Sequence, residues 1–71
     1  MRRYNGNMNG EQYLANTSPN EREVHDLDAE NANCQIDEII RLDRDKPYTS
    51  LLTARFDRYN ACMYCLGNCK Q

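Results

Sequence analysis

Apolar positions fall into two short periodic stretches separated by polar turns. In the first, NCQIDEIIRLDRDKP, Ile36, Ile39 and Ile40 recur at i, i+3 and i+4, the spacing of one helix face, although Ile36, Ile40 and Leu42 also satisfy strand alternation. The helical reading is favoured. Asn33 stands before it as an N-cap, and Asp37 and Glu38 in the first turn complement the positive end of the helix dipole. LDRDKP then reads as a polar turn, and Lys46 is biased towards extended backbone by Pro47, so Pro47 to Thr49 are expected as a short strand. In the second stretch, TSLLTARFDRYN, Ser50 caps a helix running from Leu51 to about Arg58. Leu52, Arg55, Phe56 and Tyr59 share one side; Leu52, Phe56 and Tyr59 are predicted to pack, with the stem of Arg55 covering apolar surface.

The first twenty residues look different. They hold five of the nine asparagines, two of the three glycines and one of the two prolines, with Tyr4, Met8, Tyr13 and Leu14 as their only sizeable apolar groups. Such a stretch offers little burial against its ordering entropy, so residues 1–20 are predicted to be a disordered or partner-dependent arm, followed by a mini-domain over 21–71. The expected fold class is a small α+β domain with two short helices and short strand or hairpin elements.

Composition narrows this further. At 71 residues, 39% apolar, 28% charged and without Trp, the chain buries a thin core, and a cross-link or a metal would supply the missing constraint. No stretch reaches ten uninterrupted apolar residues, and the basic start MRRYNGNMNGEQYL lacks an apolar segment behind it, so neither a membrane span nor a secretion signal is expected. The reducing cytoplasm is then the default compartment, where cysteines serve as metal ligands or redox groups more often than as disulfides. Net charge is -2: residues 1–39 carry three Arg against eight acids, and residues 40–71 carry six Lys/Arg against three acids. That mild basic bias falls short of the dense cationic face that drives nucleic-acid binding.

Three of the four cysteines crowd into YNACMYCLGNCKQ. Cys62 and Cys65 form C-x2-C, a spacing that brings two thiolates to one metal. A redox pair is the competing reading, but a helix is expected before this motif and only six residues follow it, the reverse of the usual redox setting. A zinc site needs two more ligands from Cys34, Cys69 and the single histidine, His25. Cys34, 28 positions before Cys62, is spaced so that a metal would join both ends of the domain. The fourth place lies between His25 and Cys69. DLDAEN imitates the start of a calcium loop at Asp26, Asp28 and Glu30, but Asn31 stands where that loop needs Gly, and a solvated acidic loop is expected.

VHDLDAENANC followed by YTSLLTARFDRYNACMYC resembles the metal-binding module found at the N-terminus of the Ada DNA-repair protein and reused as a small appendage in other bacterial proteins. Tyr48, Ser50, Ala54, Tyr59, Cys62 and Cys65 are in register with its frame, and the match covers residues 24–65. The resemblance implies Zn2+ held by His25, Cys34, Cys62 and Cys65, a Cys3His site. The chain departs from the frame in three places: eight residues rather than three separate His25 from Cys34, Arg58 replaces Gly, and Ala61 replaces Pro. DLDAENAN must therefore loop out, and a left-handed turn at Arg58 must be strained or absent.

In that family the first ligand accepts a methyl group from DNA phosphotriesters. Here that position is His25, whose imidazole has no lone pair to spare once metallated, so methyl transfer is not expected. No second His, nucleophile elbow or Gly-rich phosphate loop is present to suggest another catalytic set or a small-molecule substrate. The expected role is a non-catalytic zinc-stabilised interaction or accessory protein of bacterial or phage style, with a nucleic-acid-binding zinc module and a thiol-redox protein as alternatives. Arg41, Arg44, Lys46 and Tyr48, with Arg55 and Arg58, form the candidate patch for an acidic protein surface or a nucleic acid.

Overall fold

The computed structural model describes residues 1–63 and residue 65. Among them are four strands, β1 (Tyr13–Asn16), β2 (Glu23–Asp26), β3 (Asp45–Tyr48) and β4 (Asn60–Ala61), and two helices, α1 (Ile36–Arg41) and α2 (Leu51–Phe56). The strands form one mixed sheet in the order β3-β1-β2-β4. β1 pairs antiparallel with both β2 and β3, whereas β2 and β4 run parallel. Small size, two short helices and a sheet agree with the α+β expectation.

Successive strand residues point to opposite faces, and this alternation divides the core into two. Leu14 packs on one face with Met8, Leu27, Ile36, Ile39 and Ile40, beneath α1. Ala15 and Val24 pack on the other with Tyr48, Ala54 and Tyr59, beneath α2. The register sets Leu14 opposite His25 and Ala15 opposite Val24, so His25 lies on the α1 side of the sheet.

The arm expected at residues 1–20 is instead built into the molecule: β1 is an inner strand of the sheet, and Met8, Leu14, Ala15 and Asn16 are buried. The polar residues preceding it have specific partners. Buried Asp45 accepts from the Asn7 backbone N–H at 2.8 Å and from its side-chain amide at 3.1 Å. Gly6, at φ +62°, lies so close to α1 that a Cβ would meet Ile40 Cγ2 at 2.5 Å. Arg2 pairs with Asp28, and Arg3 bridges Glu30 and Asp37. Two of the three acids of the DLDAEN loop, Asp28 and Glu30, are thus paired with arginines from the chain's start.

The two helices form at the expected positions with altered ends. Asn33 does not cap α1. It sits inside a 3-10 turn, Ala32–Cys34, whose cap is Asn31, and left-handed Gln35 (φ 54°) leads into α1. The insert between His25 and Cys34 is folded as two such turns: Asp26 accepts from Asp28 N–H, Asn31 accepts from Asn33 N–H, and Leu27 is buried as an anchor. The strand expected at Pro47 to Thr49 occurs slightly earlier, as β3.

α2 is turned away from its expected orientation. Ala54 is fully buried and Leu51 partly so, while Leu52 is 78% and Phe56 86% exposed; only Tyr59 of the predicted packing trio is inside. A small residue at the contact lets the helix backbone approach the sheet closely, and Ala54 supplies it. Arg58 follows at φ 75°, so the left-handed turn expected to be strained or absent is present, with Arg bearing the strain.

Candidate metal centre

Four residues from three chain segments converge on one point below the sheet. His25 comes from β2, Cys34 from the end of the second 3-10 turn, Cys62 directly after β4, and Cys65 three residues later. Their ligand atoms all lie within 4.8 Å of one another. Each position follows from local structure. The sheet pleat turns His25 inward beside Leu14, the Asn31-capped turn presents Cys34, and the Cys62 N–H bonds to the Val24 carbonyl at 3.0 Å, fixing Cys62 against β2. The Cys65 sulfur accepts from the Asp26 backbone N–H at 3.2 Å, the kind of contact that orients and stabilises a thiolate.

The geometry suits a tetrahedral ion. Metal–sulfur bonds of about 2.3 Å place two ligating sulfurs roughly 3.8 Å apart, and Cys34 Sγ lies 3.7 Å from Cys62 Sγ. Cys65 Sγ is 3.9 Å from His25 Nδ1. Cys34, Cys62 and Cys65 are not disulfide-bonded to one another. Three sulfurs and one imidazole form a complete tetrahedral donor set, so the cluster could hold a metal ion in a structural role.

Burial sets the electrostatics. His25 is 3% exposed, and desolvation lowers its pKa to about 4, which keeps the imidazole neutral and able to ligate at physiological pH. Desolvation likewise pushes the Cys34 and Cys65 thiols up, against the direction a reactive redox cysteine requires. A cation would reverse that penalty, because it stabilises the thiolates that burial disfavours. A cleft of about 430 Å³ reaches His25, Cys34 and Cys62 from outside, with Glu21, Glu23 and Glu38 along its walls. It provides an access path whose carboxylates attract cations.

Of the metal candidates read from sequence, His25, Cys34, Cys62 and Cys65 are brought together; Cys69 lies outside the described residues. The six patch residues are dispersed. Arg41 pairs with Glu38 on α1, and Arg44 lines the cleft. Lys46 places its ammonium 5.7 Å from the Tyr48 ring centroid. Tyr48 is only 7% exposed and donates its hydroxyl to Asp57, so its ring is a core group rather than a surface contact. Arg55 and Arg58 stand exposed at α2. Sequence reasoning missed the tethering roles of Arg2, Arg3 and Asn7; the only signal was a pair of arginines in a chain whose following segment is acidic. Among the described residues, no helix is long and apolar enough to cross a membrane. Compared with protein-family models, with curated proteins and with solved structures, the chain matches none.

Proposed function

We propose that this protein is a small non-catalytic interaction module whose fold is locked by a structural zinc ion on His25, Cys34, Cys62 and Cys65. The observation that carries the reading is the convergence of one imidazole and three sulfurs, from four places along the chain, within 4.8 Å. A soft, thiolate-rich tetrahedral set suits zinc, and four protein ligands leave none of the open positions that catalytic zinc keeps for water or substrate. Zinc binding in comparable small domains contributes about 10–16 kcal/mol, enough to offset a core this small.

The resemblance to the appended Ada-like module supports the same assignment, with His25 in the first ligand position and Cys34, Cys62 and Cys65 as structural thiolates. A bacterial or phage protein working in the cytoplasm, where thiols stay reduced, is the setting that fits it. With His25 in the methyl-accepting position, the function belongs to the surface rather than to the metal.

Cobalt substitution tests the ligand set. Co2+ added to the metal-free chain should give the intense visible bands of tetrahedral thiolate coordination, and zinc should displace it. Loss of those bands in both His25→Ala and Cys34→Ser, with retention in Cys69→Ser, is the expected pattern. Bands that persist in His25→Ala but vanish in Cys69→Ser would transfer the fourth position to Cys69.

A further inference from the structure

Among the described residues, the outward face of α2 takes no part in either core cluster. Leu52 and Phe56, one turn apart, are 78% and 86% exposed, and Arg55 lies between them on the same side. Arg58 follows, exposed, at the end of the helix. Arg2, Arg3 and Arg41 each hold a carboxylate, whereas among the described residues no carboxylate pairs with Arg55 or Arg58. The nearest acid in sequence, Asp57, is engaged by the Tyr48 hydroxyl at 2.5 Å. Two large apolar groups beside two guanidinium groups that no carboxylate pairs with among the described residues leave both hydrophobic and hydrogen-bonding capacity unused.

We propose that this face of α2 is a docking surface for an acidic amphipathic segment of a partner protein. Such a segment would bury its apolar residues against Leu52 and Phe56 and set its carboxylates on Arg55 and Arg58, whose planar forks bind carboxylates in bidentate fashion. The apolar centre of the patch favours a peptide over a nucleic acid, which would call for a denser basic surface. The proposal rests on the interaction role given above, but not on the identity of the metal.

The test uses the full chain, isotope-labelled and purified with its metal, titrated with a synthetic twelve-residue helical peptide alternating Glu pairs with Leu and Phe. A second peptide carrying Lys in place of Glu is the control. Saturable amide shifts clustered at Leu52, Arg55, Phe56 and Asp57 are expected with the acidic peptide alone. Phe56→Ser should weaken binding about tenfold or more, the loss of one central contact. Arg55→Glu with Arg58→Glu should exchange the preference to the Lys peptide. These side chains are exposed, so the variants should keep the parent's dispersed spectrum and metal content, both checked in the same samples.

No shifts up to ~1 mM peptide, the weak limit of specific binding, would overturn the proposal. So would equal binding of both peptides, shifts confined to the cleft beside α1, tighter binding of a single-stranded oligonucleotide on the α2 face, or the same shifts produced by self-association without peptide. The two readings fail separately. A metal-free but folded chain that binds the acidic peptide removes zinc and keeps the docking face, while a zinc-bound chain that ignores the peptide does the reverse.

Discussion

At the scale of single residues, the account turns on groups held where their intrinsic chemistry resists being. His25 is an imidazole buried against the sheet, with its pKa lowered to about 4 by desolvation. In the unfolded chain it titrates near 6.5, so between those values the unfolded state binds the extra proton. Its contribution is complete above pH ~6.5 and is lost as pH falls towards 4, and a metal on the imidazole would keep that direction, because protons compete with the ion for the nitrogen. Proton competition for the thiolates acts in the same direction. Urea midpoints measured from pH 7.5 down to 4 should therefore fall steeply, and a flat profile would contradict a buried neutral His25. Arg58 makes a different point. An L-residue at φ 75° costs about 1–2 kcal/mol in the left-handed region, and the exposed Arg58 side chain has no pair among the described residues to compensate. Arg58→Gly should raise stability by about 0.5–1 kcal/mol, visible as a thermal midpoint several degrees higher; a lower midpoint would show that the guanidinium holds something in place.

At the scale of elements, the sheet explains both what the sequence disclosed and what it hid. α1 was legible because Ile36, Ile39 and Ile40 follow the helical period and all three are buried. β3 was legible from Pro47. β1 was not, because both its faces are covered: Leu14 serves one core and Ala15 the other, so YLAN shows no apolar-polar alternation, and its setting of Asn and Gly resembles a tail. Those polar residues act through single contacts, such as Asn7 on Asp45 and Arg3 on Glu30, that composition averages away. α2 begins where Ser50 marks its N-cap position, although the Ser50 side chain makes no capping hydrogen bond, and its orientation is not legible, since the pattern gives weight to Leu52 and Phe56 while the fold uses Ala54. Leu14→Ala should cost about 2–5 kcal/mol, the range for a large-to-small change in a packed core, measurable by denaturant unfolding. Deleting residues 1–16 should abolish the cooperative transition altogether, because it removes an inner strand; a chain that still unfolded cooperatively after that deletion would restore the arm. Arg3→Ala, which releases Glu30 and Asp37 together, should cost about 1 kcal/mol, near the upper end for an ion pair of this kind.

At the scale of the whole molecule, an ion at the site would join segments that the two-residue strand β4 links to the sheet by a short pairing alone. β4 contributes two residues, and beyond it Cys62 and Cys65 rest on β2 through the Val24 and Asp26 backbone. One ion on His25, Cys34, Cys62 and Cys65 would tie the inner sheet, the turns before α1 and the chain following β4 into a single cooperative unit. All four residues of the cluster are legible as candidates in the sequence, His25 as one of two for the fourth place; what is not legible is that the eight residues between His25 and Cys34 fold into two capped turns that bring Cys34 within reach. An ion held there would make metal and fold inseparable: Cys62→Ser or Cys65→Ser should unfold the domain, whereas Cys69→Ser should not, as circular dichroism of the three variants would show. The most direct test is elemental analysis of the purified chain, combined with thiol titration and circular dichroism before and after a strong chelator. The expected result is one zinc per chain, three protected thiols, and loss of cooperative structure when the metal is removed. A protein that is metal-free as isolated yet folds cooperatively, or that retains its structure and protected thiols after chelation, would contradict the central claim.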